Sequence, residues 1–338
     1  MLTLSSRDRL PAATLTSSLL VMAIIIGALL GHFAPDRGQW LGDNVDTTLL
    51  TMIGLLFFSV RLDVLAQQAG NLRFIAIAVV ANFIFVPLIG YGVASLFMAA
   101  HPLLMVGLVI YFVSPCTDWF LGFTRLAGGN VALGMALIPI NMALQLLLYP
   151  FYLQWFTPHT GAIDPQLIAT TLLHWFLLPA IAALTLHYTL RFMLGEQRFE
   201  QCLTFADRAT PWVIALLVLQ IFAGNIASIL AHRYVFAWLL LSVFVFFVLT
   251  FLLSEALSRG CCLDYPEHAL LTMTIAARNA PLMLAVTMTV LPGQPLIYAA
   301  LVMGMLVEFP HLTLLRRVLI VLERHPYPSR WLHRRNSG

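Results

Sequence analysis

Residues 112–120 read F-V-S-P-C-T-D-W-F, and they interrupt a run of sequence that is otherwise apolar. Apolar residues precede this stretch from Leu103 and mostly follow it as far as Leu126. Pro115 has no backbone N–H and its ring clashes with the preceding helical turn, so a helix is kinked or broken here. In a bilayer such a break leaves bare backbone N–H and C=O groups, which are tolerated only where protein or a water-filled cavity covers them. The stretch therefore predicts an interrupted helix at a covered position.

A second interruption lies near the other end of the chain. Residues 276–283 read A-A-R-N-A-P-L-M, with Arg278 and Asn279 just before Pro281. Two interrupted apolar helices, one in each half of a chain, are the sequence pattern that best indicates the binding site of a membrane transporter.

Composition indicates a membrane protein. Of 338 residues, 60% are hydrophobic and 10% are charged, and the mean hydropathy is +0.90. Soluble domains carry about 25% charged residues, and a bilayer-spanning helix needs about 20 apolar residues. The sequence predicts an all-α integral membrane protein with ten spans, at about residues 15–33, 46–62, 72–98, 103–126, 131–156, 166–190, 209–231, 233–258, 267–291 and 295–322.

The arginines predict the orientation of these spans. All 18 basic residues are arginine. With both termini cytoplasmic, 15 arginines lie on the cytoplasmic side, while Arg37 and Arg233 lie outside and Arg278 lies within a span. Such an asymmetry is the positive-inside signature, and it predicts a multi-pass protein of the cell inner (plasma) membrane.

The spacing of the two interruptions indicates an internal repeat. Predicted spans 4 and 9 hold them at matching positions, and each is followed by a glycine-containing link and a long span. An odd number of spans in each half places the halves in opposite orientations. We therefore predict a first inverted repeat over residues 1–156, a connecting loop over 157–166, a second repeat over 167–322 and a basic cytoplasmic tail over 323–338.

Three charged side chains are predicted to lie well inside the membrane: Asp118, Arg278 and Glu308. Charges there are costly and usually functional. Asp118 and Arg278 could form a structural ion pair where the interrupted helices cross. Alternatively, Arg278 could meet an anionic substrate while Asp118 exchanges a proton or binds Na⁺. Glu308 could carry a proton or accept a structural hydrogen bond from exposed backbone.

The other candidate side chains are polar or soft. Cys116 follows Pro115 in the first interruption, and a thiol there suits a thiophilic solute, so it is also the tentative metalloid contact. Thr117 and Asn279 are candidates for substrate binding, while Ser114 and Asn141 are candidates for ion coupling. A buried cysteine that acts only as a small apolar side chain is the alternative for Cys116.

Other classes of function lack sequence support. There is no nucleophile–base pair and no G-x-x-x-x-G-K-[S/T] phosphate loop, which argues against an enzyme and excludes an ATP-driven pump within this chain. No nucleic-acid motif accompanies the basic tail. The expected partners are a small-molecule or ionic substrate and the lipid bilayer, with H⁺ or Na⁺ as the coupling ion and no other cofactor. Nothing in the sequence marks a dimer face.

The motifs resemble those of a known family. S-P-C-T at residues 114–117, Asn141 in the next span and L-V-E-F-P at residues 306–310 resemble the arsenite efflux permeases, a branch of the bile acid:sodium symporter superfamily. The resemblance implies ten helices in two inverted five-helix repeats, with helices 4 and 9 crossing at the substrate site. It also implies a functional cysteine in helix 4 and a glutamate in helix 10, which match Cys116 and Glu308.

The sequence departs from that branch at Asp118–Trp119, where small or apolar residues are usual, and at Arg278, which stands beside a single asparagine, Asn279. Two hypotheses follow. The first is efflux of arsenite or a related thiophilic metalloid by proton exchange through Glu308. The second is a Na⁺- or H⁺-coupled carrier of an organic anion with Arg278 as the counter-ion. A membrane scaffold or sensor without transport is a third.

Overall fold

The computed structural model describes residues 6–59, 71–116, 120–156, 177–231 and 233–324, and it is all-helical over these ranges. In chain order the helices are α1 (Ser6–Phe33), α2 (Pro35–Asp43), α3 (Val45–Phe58), α4 (Leu72–Val80), a π-helical turn (Ala81–Phe85), α5 (Val86–Met98), α6 (Pro102–Phe112), α7 (Phe120–Leu126), α8 (Val131–Phe156), α9 (Leu178–Ala231), α10 (Arg233–Gly260), α11 (Tyr265–Ala276), α12 (Ala280–Val290) and α13 (Pro295–Arg324).

By length and composition, five of the described helices could cross a bilayer, or six if the bent pair α2 and α3 forms one span. They are Leu72–Met98, Val131–Phe156, Leu178–Ala227, Tyr234–Gly260 and Pro295–Glu323. Predicted span 7 and the part of span 6 from Leu178 onward fall in the stretch labelled α9, where non-helical backbone at Gly195 and Asn225 separates helical segments, while residues 166–176 of span 6 lie outside the described residues. Predicted spans 4 and 9 are each divided into two short helices. The number ten and the inverted orientation of the halves therefore stay predictions.

The first group of helices is α1, α2 and α3, which pack against α9. Glycines allow the backbones to approach closely at this interface. A Cβ built on Gly31 would lie 2.2 Å from the carbonyl oxygen of Ala223, and one on Gly42 would lie 3.1 Å from the Cα of Gly224. Small residues at helix interfaces permit this kind of packing in membranes.

The second group surrounds α6 and α11, which pack against α13, α10 and the helix α4–π–α5. Both short helices begin with a proline in the first turn, Pro102 in α6 and Pro266 in α11. Every residue of α11 from Ala269 onward is buried. The apolar sequence around both interruptions is explained by this central position.

The same order of elements occurs on both sides of the chain's midpoint. A short helix, an interruption, a second short helix, a turn and a long helix follow one another as α6, α7 and α8, and again as α11, α12 and α13. Each turn contains a glycine with positive φ, Gly128 at 78° and Gly293 at 72°, where a side chain would be strained.

The π-helical turn has a local cause. Pro87 lacks the N–H that would donate to the carbonyl of Phe83 four residues earlier. The hydroxyl of Tyr152 donates to that carbonyl instead, at 2.6 Å. The turn is buried at Asn82, whose side chain reaches the second interruption.

Candidate functional site

The two interruptions meet as a short antiparallel bridge between Pro115 and Arg278. This meeting point is called the crossing below. The N–H of Cys116 donates to the carbonyl of Ala277 at 3.1 Å, and the N–H of Asn279 donates to the carbonyl of Ser114 at 2.9 Å. Each break leaves backbone N–H and C=O groups without a helical partner, and these groups bond to those of the other break. Unpaired backbone groups, which are costly in an apolar interior, are thereby avoided.

Arg278 lies at the centre of this bridge with its side chain fully buried. Its Nη1 donates to the carbonyl of Phe112 at 2.8 Å, and its Nη2 donates to the carbonyls of Thr274, at 3.2 Å, and Ile275. The Nη2 also lies 3.4 Å from Oδ1 of Asn82. The three carbonyls belong to the last turns of α6 and α11, which have no further helical donors. The guanidinium thus caps the C-terminal ends of both short helices.

An aromatic ring also lies beside the guanidinium. Its Cζ lies 5.8 Å from the ring centroid of Phe246, which stacks on Phe112 at 4.0 Å. No ion pair of Arg278 occurs within these residues, and its Nε has no hydrogen-bond partner among them. Asp118 lies outside the described residues, so its predicted pairing with Arg278 stays a prediction.

Glu308 holds the second interruption from the other side. Its side chain is buried, and its Oε1 accepts the backbone N–H of Arg278 at 3.0 Å. Its Oε2 lies 3.3 Å from the hydroxyl of Tyr111, which is also 3.0 Å from the carbonyl of Gly304. Glu308 therefore makes the structural hydrogen bond to exposed backbone that the sequence offered as one alternative. Its role in ion coupling stays a prediction.

Gly304 makes the contact between Tyr111 and α13 possible. A Cβ at position 304 would lie 2.8 Å from three atoms of the Tyr111 ring. Because residue 304 has no side chain, the ring lies flat on α13 and its hydroxyl reaches Glu308, one turn farther along.

Cys116 and Asn141 meet at the first interruption. Both side chains are buried, and Nδ2 of Asn141 lies 3.4 Å from the carbonyl of Cys116. One turn along α8, Gln145 is also buried. Oδ1 of Asn141 and both amide atoms of Gln145 have no hydrogen-bond partner among the described residues. Buried amide groups in this condition are costly, which indicates a polar solute or water at this face of α8.

The remaining predicted site residues have local roles or are not described. The Ser114 hydroxyl donates to the carbonyl of Ile110, and Oδ1 of Asn279 accepts the N–H of Leu282 at 3.3 Å, which caps the start of α12. Thr117, like Asp118, lies outside the described residues. In Ser114 and Asn279, a polar atom that could bind a ligand is therefore already in a hydrogen bond near a helix end.

Sequence reasoning missed Asn82, Tyr111 and Gln145. Each is a polar residue within an apolar run, and the same signal had identified Asn141. The sequence does not connect Asn82 with Arg278 or Tyr111 with Glu308, because more than 160 residues separate the two members of each pair. Only the folded chain brings them together.

A separate cavity of about 980 Å³ lies away from the crossing, between α3 and α9. Its lining is mostly apolar and includes Leu50, Phe58, Leu186 and Phe205. The crossing itself is closed, because Cys116, Arg278, Asn279 and Glu308 are each exposed by 2% or less.

Two interrupted apolar helices that meet inside a helical membrane protein are the arrangement found around the substrate sites of many secondary transporters. The chain belongs to the sodium bile acid symporter family, whose model matches residues 47–232. It is therefore a multi-pass membrane protein of an ion-coupled transporter family.

Two curated proteins are similar over most of the chain. The arsenical-resistance protein Acr3 of Corynebacterium glutamicum is 24% identical over 331 residues, which cover 92% of this chain and 89% of that protein. An uncharacterised sodium-dependent transporter of Bacillus subtilis, YocS, is 23% identical over 269 residues, which cover 77% of this chain and 78% of that protein.

Proposed function

We propose that this chain is a secondary transporter that exports arsenite or a related thiophilic metalloid in exchange for protons. The observation that carries the proposal is the position of Cys116, which lies within the bridge that joins the two interrupted helices. The similarity to an arsenical-resistance protein over 92% of the chain supports it.

The chemistry of this position suits trivalent arsenic. A thiol is a soft ligand, and a single thiol binds weakly enough to release the solute again. Neutral arsenous acid also carries hydroxyl groups. The amide atoms of Asn141 and Gln145 that lack a hydrogen-bond partner among the described residues lie on the same face of α8 and supply the donors and acceptors that those hydroxyls need.

Glu308 is the proposed proton carrier. As a carboxylate it accepts from the Arg278 N–H and the Tyr111 hydroxyl. Protonation converts one acceptor oxygen into a donor. The hydrogen bonds from Glu308 to Tyr111 on α6 and to the Arg278 backbone then change. Protonation of Glu308 is thereby coupled to the arrangement of the helices at the crossing.

The proposed architecture has ten membrane-spanning helices in two inverted repeats, with both termini in the cytoplasm and the protein in the inner membrane. The helices around α6 and α11 would rock against the group formed by α1, α2, α3 and α9, as inverted repeats imply. The repeated order of elements and the antiparallel bridge support this architecture.

The organic-anion alternative requires Arg278 as a counter-ion for the substrate. Both terminal nitrogens of Arg278 already donate to backbone carbonyls and the side chain is fully buried, so mainly its Nε–H is left for an anion. The similarity to a sodium-dependent transporter leaves this second function worth testing. A scaffold without transport has no support from the family.

The decisive experiment is arsenite accumulation in cells that lack their own arsenite exporters. We expect the wild-type protein to lower accumulation, Cys116→Ser to abolish the effect, and Gln145→Leu to weaken it. Cys202→Ser is the matched control, because Cys202 lies on α9 away from the crossing. All variants are compared at equal abundance in the membrane.

Each outcome has a separate meaning. Unchanged accumulation with wild-type protein present in the membrane contradicts metalloid export. Export that survives Cys116→Ser keeps the function and removes the thiol from the mechanism. Uptake of organic anions that is lost in Arg278→Gln would establish the alternative.

A further inference from the structure

The crossing brings two helix C-termini together in an apolar interior. The last turns of α6 and α11 both direct carbonyl oxygens into one small space, from Phe112, Thr274 and Ile275. Helix C-termini carry partial negative charge. In broken-helix transporters such ends, together with unwound carbonyls, coordinate a coupling cation. The space therefore requires positive charge.

The oxygen atoms that face this space have the chemistry of a sodium site. Three are backbone carbonyls, and the fourth is the side-chain oxygen of Asn82 from the π-helical turn. Neutral oxygens of this kind are the ligands of a hard cation. The guanidinium of Arg278 contacts all four and is fully buried.

We propose that Arg278 is a built-in cation that fills the place of a coupling Na⁺ in this crossing, so that the carrier does not require sodium. The guanidinium is covalently attached and cannot leave with the solute. It therefore stabilises the crossing in every state of the cycle without contributing an ion gradient. The driving ion must then act elsewhere, which is consistent with a proton at Glu308.

A stability measurement tests the cation site without any transport substrate. Purified wild-type protein should have the same unfolding midpoint in Na⁺ as in choline at constant ionic strength. Arg278→Ala, which empties the space, should have a lower midpoint that rises by several degrees with millimolar guanidinium or with Na⁺. A ligand that binds only the folded state raises the midpoint in this way.

Arg316→Ala is the matched control. The Nε of Arg316 also donates to a carbonyl at a helix end, that of Leu126 at 3.3 Å, but Arg316 is partly exposed and lies outside the crossing. Its variant should show no specific recovery with guanidinium or Na⁺. A folded Arg278→Ala protein that responds no more than this control overturns the proposal.

The inference rests on the proposed function, because it concerns the ion that drives the same carrier. If Arg278→Ala does not fold, a transport assay on wild-type protein tests the inference instead. Arsenite uptake into sealed everted vesicles, which corresponds to export from the cell, should be as fast in choline as in Na⁺, within about twofold. A rate that collapses without Na⁺ overturns the inference and leaves arsenite export intact. If arsenite is not transported at all, the unfolding midpoint of wild-type protein in Na⁺ and choline still decides the inference.

Discussion

Arg278 has two roles at the crossing, one through its side chain and one through its backbone. The guanidinium caps the ends of α6 and α11, while the backbone N–H donates to Glu308. The side chain therefore donates to carbonyl oxygens at two helix ends, and the backbone N–H donates to the Glu308 carboxylate on α13. One residue links three helices, and its link to α13 requires an acceptor at position 308.

The first residue-scale prediction separates the structural role of Glu308 from its proposed proton role. In Glu308→Gln the amide oxygen still accepts the Arg278 N–H, so we expect an unfolding free energy within about 1 kcal/mol of wild type. Glu308→Ala leaves that N–H without its acceptor, while the Tyr111 hydroxyl keeps the Gly304 carbonyl, and the substitution should cost about 1–3 kcal/mol. Reversible unfolding in detergent measures both values.

Transport then tests the proton. Glu308→Gln cannot bind and release a proton, so it should abolish arsenite export driven by a pH gradient while the protein remains folded. Export by Glu308→Gln that still follows the pH gradient would show that another group carries the proton.

At the scale of elements, the two groups of helices are held by different kinds of contact. The group around α6 and α11 depends on hydrogen bonds between interrupted backbones and polar side chains. The group of α1, α2, α3 and α9 has no such backbone bridge among its described residues and packs through close backbone approach at glycines, which also occurs around α6, where a Cβ on Gly107 would lie 2.8 Å from the Ile297 carbonyl oxygen. Substitution of a glycine between α1 and α9 should therefore act through packing and leave the hydrogen bonds of the interruptions in place.

The prediction for this interface is that Gly31→Ala destabilises the protein. The new methyl group would lie 2.2 Å from the Ala223 carbonyl oxygen, so α1 and α9 must separate. Overpacking of this kind costs about 1–3 kcal/mol. Gly54→Ala in α3 is the control, because nothing lies within 4 Å of its Cβ position. The unfolding midpoint should fall in the first variant and stay equal or rise in the second.

At the scale of the whole molecule, the arginine distribution predicts which face of the membrane each loop occupies. Cys261 and Cys262 are at least partly exposed in the turn after α10, on the side predicted to be cytoplasmic. The region of Asp36, which begins α2, is predicted to lie outside.

Labelling with a membrane-impermeant maleimide checks this orientation. Cys261 and Cys262 should react in everted vesicles and remain unlabelled in intact cells. A Cys202→Ser, Cys261→Ser, Cys262→Ser protein that also carries Asp36→Cys should show the reverse pattern, since Cys202 is also partly exposed. Labelling of the native pair in intact cells would contradict cytoplasmic termini.

The membrane class, the positions of both interruptions and five candidate residues could be predicted from the sequence: Cys116, Asn141, Arg278, Asn279 and Glu308. These predictions are possible because proline breaks helices and because charged or polar groups are costly in hydrocarbon, and both effects depend on local sequence alone. The family resemblance, carried by short motifs around Cys116 and Glu308, was confirmed by the family match.

The contacts of these residues could not be predicted, because they depend on helices that are far apart in the chain. The partners of Arg278 are carbonyls of α6 and α11 and the amide of Asn82, and the partners of Glu308 are the Arg278 backbone and Tyr111. From sequence, Arg278 is expected to pair with Asp118 or with an anionic substrate, because a charge is first paired with an opposite charge. Asp118 lies outside the described residues, so that pairing stays a prediction. The negative ends of helices provide partial charges that belong to no residue type. They become visible only when two helices end at the same place.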